Sequence, residues 1–291
     1  MAHRSRRIWL AGLCGLLGLA APLLRAADDP KEILRRALRM NAHNRELERT
    51  YTYLERNEGR TLDGKGAVKH RESTTWDVTP LEKAMYRRLI QRDDKPLSPK
   101  EERQQEAALQ KREAARKEAE AKRAAETPEQ RQKRLAAKER ARQHEQRDID
   151  EVVEGFDLRL LADERIDGVP VWAIEGAPRE GYKFTNSQFA AVVSKLKGRI
   201  WVSQSDYQPV RIDAETTGTI SFGGVLARIY KGTRVHVEFT YVNGEVWLPK
   251  HMSFRVSGRL LLLKGLREEG DAVFSGYKKF SADSRIVTGE D

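Results

Sequence analysis

The chain is nearly free of cysteine: Cys14 is the single one among 291 residues. That excludes an intramolecular disulfide and any cysteine-built metal centre. Histidine is scarce as well, six in all, and none stands in an H-x-H or H-E-x-x-H spacing suited to a metal. A G-x-S-x-G nucleophile elbow and a glycine-rich phosphate loop are both missing. Nor is there an aromatic RNA-binding strand or a cysteine–histidine finger. Long apolar runs are confined to the first 27 residues, and the mean hydropathy is −0.70. With 34% charged residues, a membrane protein of many spans is excluded. Five Trp, eight Tyr and eight Phe within a 39% hydrophobic composition exclude a chain disordered throughout. No catalytic residue, resident metal or cofactor is expected, and the protein reads as a non-enzyme.

What is present begins with an export signal. Arg4, Arg6 and Arg7 precede an uncharged apolar run from Ile8 to Leu24, and Ala26-Ala27 offers small residues before Asp28. The expectation is a signal peptide over 1–27 and a periplasmic mature protein, with an uncleaved inner-membrane anchor as the other possibility. Cys14 sits inside the apolar run behind Leu13, so it reads as part of the signal and not as a lipidation site. The formal net charge is +10, and removal of the four signal-peptide arginines lowers it to +6. Export sets nucleic acid aside as a partner; the charge serves solubility or contact with anionic membrane surfaces.

Three textures follow. Asp29-Pro30 caps a helix over Lys31 to Arg49, with Ile33, Leu34, Ala37, Leu38 and Leu47 on one face. From Tyr51 the period becomes two, predicting strands around Tyr51–Arg56, Ala67–Val78 and Lys83–Arg92 with turns between them. Residues 100–150 then carry 15 Lys/Arg and 12 Asp/Glu with almost no aliphatic bulk. Glu113–Lys117, Glu118–Lys122 and Glu129–Lys133 have favourable i, i+4 order, so a solvated helix broken at Thr127-Pro128 is expected. It reads either as an arm for a partner or as a passive insertion.

From Val152 the strand pattern returns. Phe156–Leu160, Val169–Glu175, Gly198–Ser203, Val210–Thr217, Val235–Tyr241, Val246–Arg259 and Ala272–Phe280 are predicted strands, with Asn243-Gly244 as the clearest hairpin. Asn186–Leu196 reads as a short helix or loop. Turns every 8 to 15 residues, without long crossover helices, predict an antiparallel meander. The expected class is α+β: one strongly curved antiparallel sheet, an unclosed β-barrel, with helices on its concave side and a long charged helical insertion. A single domain over 28–285, interrupted at 100–150, is followed by a tail at 286–291.

Several segments carry a family likeness. Gly198-Arg199-Ile200-Trp201-Val202 precedes Asp206-Tyr207-Gln208-Pro209-Val210-Arg211-Ile212, and Glu245-Val246-Trp247-Leu248-Pro249 comes later. With the export signal, the first helix and Tyr51-Thr52-Tyr53, this order resembles the outer-membrane lipoprotein-sorting (LolA/LolB-like) superfamily, well over Leu158 to Phe280 and loosely over Lys31 to Leu97. The resemblance implies an apolar cavity for acyl chains, and a lipid or acylated lipoprotein as partner. The charged insertion departs from simple carriers, and the missing lipobox departs from the lipidated receptor.

On this reading the cavity candidates are the strand aromatics Tyr53, Trp76, Trp172, Trp201, Trp247 and Phe254. The alternative reading, a cell-envelope interaction or sensing module, uses Arg112, Arg116, Lys122 and Arg134 of the charged arm against a partner protein. His236 and His251 flank the Asn243-Gly244 hairpin and read as a solvated pair. Leu260–Leu263, between Arg259 and Lys264, reads as a membrane-touching loop or a buried strand end.

Overall fold

The computed structural model describes residues 28–81, 84–185, 188–222, 227–260 and 264–280. The predicted signal, the tail, residues 261–263 of the aliphatic run and Asn186-Ser187 lie outside the described residues. Helix α1 spans Pro30–Glu48; Asp29 caps it by accepting from the Lys31 N–H, and Pro30 occupies the first turn. Strands β1 (Tyr51–Leu62), β2 (Val68–Leu81), β3 (Ala84–Arg92) and the short β4 (Lys95–Pro96) follow. The chain then forms α2 (Pro99–Ala124) and α3 (Pro128–Gly155). Next come β5 (Phe156–Leu160), β6 (Glu164–Ile166), β7 (Val169–Pro178), α4 (Gln188–Val193), β8 (Leu196–Ser203) and β9 (Pro209–Thr216). β10 (Ile220–Phe222), β11 (Ala227–Ile229), β12 (Arg234–Val242), β13 (Val246–Leu260) and β14 (Lys264–Lys279) complete the series.

All fourteen strands belong to one unclosed antiparallel sheet, ordered β4-β3-β2-β1-β14-β13-β12-β9-β8-β7-β5, with β6, β10 and β11 off this path. Strand β1 lies between β2 and β14, so the strands before and after the helices share one sheet. Pairing on both sides also explains why β1 continues through Asn57–Leu62, where composition suggests a turn. Register shifts interrupt the ladders at Thr52/Leu54, Thr75/Trp76, Trp201/Val202 and Glu238/Phe239, and such bulges bend and twist a sheet.

The core forms where α1 crosses the sheet. Ile33 and Ala37 pack with Trp172, Ile174 and Val202. The opposite face of the same strands buries Val171, Ala173 and Trp201 with Val210 and Trp247. A third cluster joins Tyr51, Val246 and Leu248, with Leu47 of α1 against it. Asn44 fastens the helix to the β12–β13 end: its amide donates to the Trp247 carbonyl (2.6 Å) and accepts from the Trp247 N–H (3.0 Å).

The charged segment forms two helices that break at Thr127, as its sequence predicts, but it is not a wholly solvated insertion, because its far end belongs to the core. Ser98 and Thr127 each form a reciprocal capping box, with Glu101 and Gln130. Helix α2 buries no side chain, as its composition demands, whereas α3 buries Glu151, Val153 and Gly155. Helix α3 runs antiparallel along α1, joined by Lys31–Glu154 (2.6 Å), Arg35–Glu154 (3.0 Å) and Arg45–Glu145 (2.5 Å). These pairs are partly exposed, so each contributes about 0–1 kcal/mol.

Candidate functional site

Directly paired residues of neighbouring strands share a face of the sheet, so the register defines the surfaces. On the α1 face, one row runs Ile174, Ile200, Ile212, Val237, Met252, Ala272. It is apolar across six strands, buried beneath α1 at Ile174 and only half-buried by Met252 and Ala272. The next row on that face runs Gly176, Gly198, Ala214, Val235, Phe254, Gly270, Gly59. Its residues are small except at Val235 and Phe254, which remain 37% and 39% exposed. The Phe254 ring lies over Gly270, where an added Cβ would come within 2.4 Å of it.

The far ends of these rows, at Met252, Ala272, Phe254, Gly270 and Gly59, floor a groove of about 460 Å³ beside the C-terminal end of α1, within the usual range for small-molecule sites. Pro249, Met252, Phe254, Ala272 and Phe274 supply its apolar surface, Glu48 closes it at the end of α1, and Glu55 and Glu72 line its β1–β2 side. Arg87 pairs with Glu55 at 2.6 Å. Partial burial pushes the Glu48 carboxyl above its ordinary pKa, against the pull of Arg49 and Arg45. Beyond Phe274, Tyr53 packs against both it and Tyr277, with ring centroids 6.0 and 5.2 Å away. Burial, chiefly, raises the Tyr53 hydroxyl to about 12, and Tyr277, raised further by the same cause, donates to the Pro249 carbonyl (2.5 Å).

A larger groove of about 840 Å³ is lined by a charged row of the opposite face together with Gly176, Gly198, Ala214, Val235, Phe254 and Gly270. Glu175, Arg199, Asp213, His236, Ser253 and Asp271 succeed one another across the strands. Arg159–Glu175 (2.6 Å), Arg255–Glu269 (2.6 Å), Arg60–Asp271 (3.1 Å) and Arg234–Glu215 (3.2 Å) lace this surface together. The alternation that hides apolar side chains under α1 necessarily sends these polar ones to the other side.

The six candidate aromatics do not converge on one hollow. Phe254 lines both grooves, Trp201 reaches the larger one, and Tyr53 stands behind Phe274. Trp76 lies on β2, its indole N–H on Thr74 and its ring under Arg87. Trp172, Trp201 and Trp247 are buried, with their N–H groups donating to Asp28, Glu164 and Asp206 at 2.9, 2.8 and 2.8 Å. Packing and a satisfied donor account for each of these three positions. Met252, Ala272 and Phe274 were not among the cavity candidates from sequence, although the alternation of Met252 with Phe254 along β13 was visible there.

On the arm, Arg116 pairs with Glu120 (3.6 Å), Lys122 with Glu118 (2.6 Å) and Arg134 with Glu126 (2.8 Å). Arg112 lies over the Tyr86 ring at 5.7 Å and so ties α2 to β3. Among the described residues, no helix is long and apolar enough to cross a membrane.

An N-terminal helix thus crosses an apolar face of an unclosed antiparallel sheet. The chain is similar to several solved structures. One is an outer membrane lipoprotein-sorting protein domain from Vibrio parahaemolyticus, with 8% identity, covering 84% of this chain and 92% of that one at a TM-score of 0.29. Another is a LolA superfamily protein from Nitrosomonas europaea, with 13% identity, coverages of 87% and 94%, and a TM-score of 0.26. A third is MucB in the Pseudomonas aeruginosa MucA/MucB complex, with 9% identity, coverages of 87% and 100%, and a TM-score of 0.23. At these scores the likeness carries no argument about activity. No protein-family model matches the chain, and no curated protein does.

Proposed function

We propose that this is an exported, non-catalytic envelope protein that holds the acyl chain of a lipid or acylated lipoprotein on the α1 face of its sheet. One observation carries the reading: the apolar row that α1 buries at Ile174 continues, half-covered, to Met252 and Ala272 and opens into the 460 Å³ groove. Each acyl methylene buried there contributes about 0.8 kcal/mol. The carboxylates of Glu48 and Glu72 beside the groove oppose an anionic headgroup, so the chain is borne by a neutral or cationic head. Native mass spectrometry of protein purified from the envelope tests this: lipid adducts are expected on the wild type and absent from Met252→Glu. An adduct-free wild type that also fails to bind lysophosphatidylcholine overturns it.

The alternative, an envelope module gripping a partner with its arm, draws support from α2, whose 26 residues bury no side chain. It predicts that replacing Arg112, Arg116, Lys122 and Arg134 by Ala abolishes in-cell crosslinking to an envelope protein and leaves lipid occupancy unchanged. Crosslinking that survives the fourfold variant removes that role.

A further inference from the structure

The charged face holds an arrangement that acyl binding does not use. His236 and Glu238 are two residues apart on β12, and Glu238 pairs directly with His251 of β13. One donor atom from each of the three lies within 4.8 Å of the others, and the imidazole centroids are 6.0 Å apart. A β13 bulge falls beside this position, where Phe239 pairs with Pro249 and Glu238 with His251.

The His236 ring is held in one tautomer. Its Nδ1 is 2.5 Å from Asp213 Oδ1, and an ionised carboxylate only accepts, so Nδ1 carries a proton and Nε2 is the nitrogen left to bind a metal. That Nε2 points toward the cluster, 3.4 Å from Glu238 Oε1. A carboxylate behind the distal nitrogen is the usual device for orienting a metal-binding imidazole and raising its basicity. Asp271 Oδ1 stands 3.3 Å from His251 Nε2, where it orients that ring or supplies a further oxygen. Two cations face the group: Arg211 at 2.8 Å from Glu238 Oε1, and Arg60 at 3.1 Å from Asp271 Oδ2. Each engages one oxygen and leaves its carboxylate a second with which to bind.

We propose that His236, Glu238 and His251 form a binding site for a divalent transition-metal ion of the Zn²⁺ class, with Asp213 as the positioning residue. Two imidazoles and one carboxylate suit Zn²⁺ and its neighbours better than Ca²⁺ or Mg²⁺, which take all-oxygen shells. Ligand bonds of about 2.0–2.2 Å place tetrahedral donors about 3.3 Å apart. Rotation of the partly exposed side chains, at 31%, 25% and 32% exposure, achieves that closure and admits the ion. Three protein ligands leave a fourth position for water or the Asp271 carboxylate.

The test uses the full mature chain without an affinity tag, stripped with chelator and titrated with Zn²⁺ calorimetrically and with Co²⁺ by visible absorption. The wild type is expected to bind one ion per chain and to give the ligand-field bands of a low-symmetry Co²⁺ site. His236→Ala and His251→Ala lose the bands, His70→Ala keeps them, and Asp213→Asn weakens Zn²⁺ binding about 10–100-fold. Circular dichroism of each variant establishes that it is folded, and His251→Gln serves in place of any that is not. The site is refuted if the wild type takes up no stoichiometric metal, or if uptake is indifferent to His236 and His251.

Discussion

A carboxyl group at the edge of an apolar groove has an electrostatic cost that single-residue chemistry exposes. The folded-state pKa of Glu48 is raised, mainly by burial. The folded protein therefore holds this proton more tightly than the unfolded chain, and ionisation costs stability as pH rises from the unfolded value through the folded one. Glu48→Gln is expected to melt above the wild type at pH 7 and to match it at pH 3, below both values, by scanning calorimetry. Equal melting temperatures at both pH values would contradict the assignment. The fully buried Leu248 makes the opposite case. Truncating it to Ala beneath α1 is expected to cost about 2–5 kcal/mol in urea unfolding, because transfer energy and a cavity add together.

At the scale of elements, α1 is a brace as much as a lid. Asn44 satisfies both backbone groups of Trp247 from within a buried contact, and leaving such buried groups unpaired is costly. Asn44→Ala is expected to cost about 1–3 kcal/mol and to accelerate amide exchange through the C-terminal half of α1. Unchanged exchange there would show that the helix is held by its apolar face alone. Elements set by local chemistry were legible in the chain: the Asp29-Pro30 helix start, the Thr127-Pro128 break, and the Asn243-Gly244 hairpin with its two positive φ angles. Elements that exist only through pairing were not. The three-residue strands β6, β10 and β11 have too few alternations to show a period, and Asn57–Leu62 is a strand because β2 and β14 flank it.

Across the whole molecule, alternation separates two chemistries. One sheet face is apolar and partly roofed by α1; the other buries the Trp201–Trp247 cluster and carries beside it a ladder of ion pairs that includes His236 and His251. The joining of the chain's two ends in one sheet followed from their shared period and the need for each to bury a face, and β1–β14 pairing realises it. The binding surface was less legible. Large aromatics drew attention, but Trp172, Trp201 and Trp247 have enough surface to be core and N–H groups that demand carboxylates. The open groove uses Phe254, one of the candidates, together with Met252, Ala272 and Phe274, which were not among them. His236 and His251 were placed near each other by the hairpin, yet only the bulged register brings Glu238 opposite His251.

Photo-crosslinking with a diazirine-bearing lysophosphatidylcholine, mapped by peptide mass spectrometry, tests acyl binding most directly. Labels are expected on Met252, Phe254, Ala272 and Phe274, and are displaced by unlabelled lipid. Labels concentrated on the Arg199–Asp213–His236 face, or spread without preference over the surface, would contradict it.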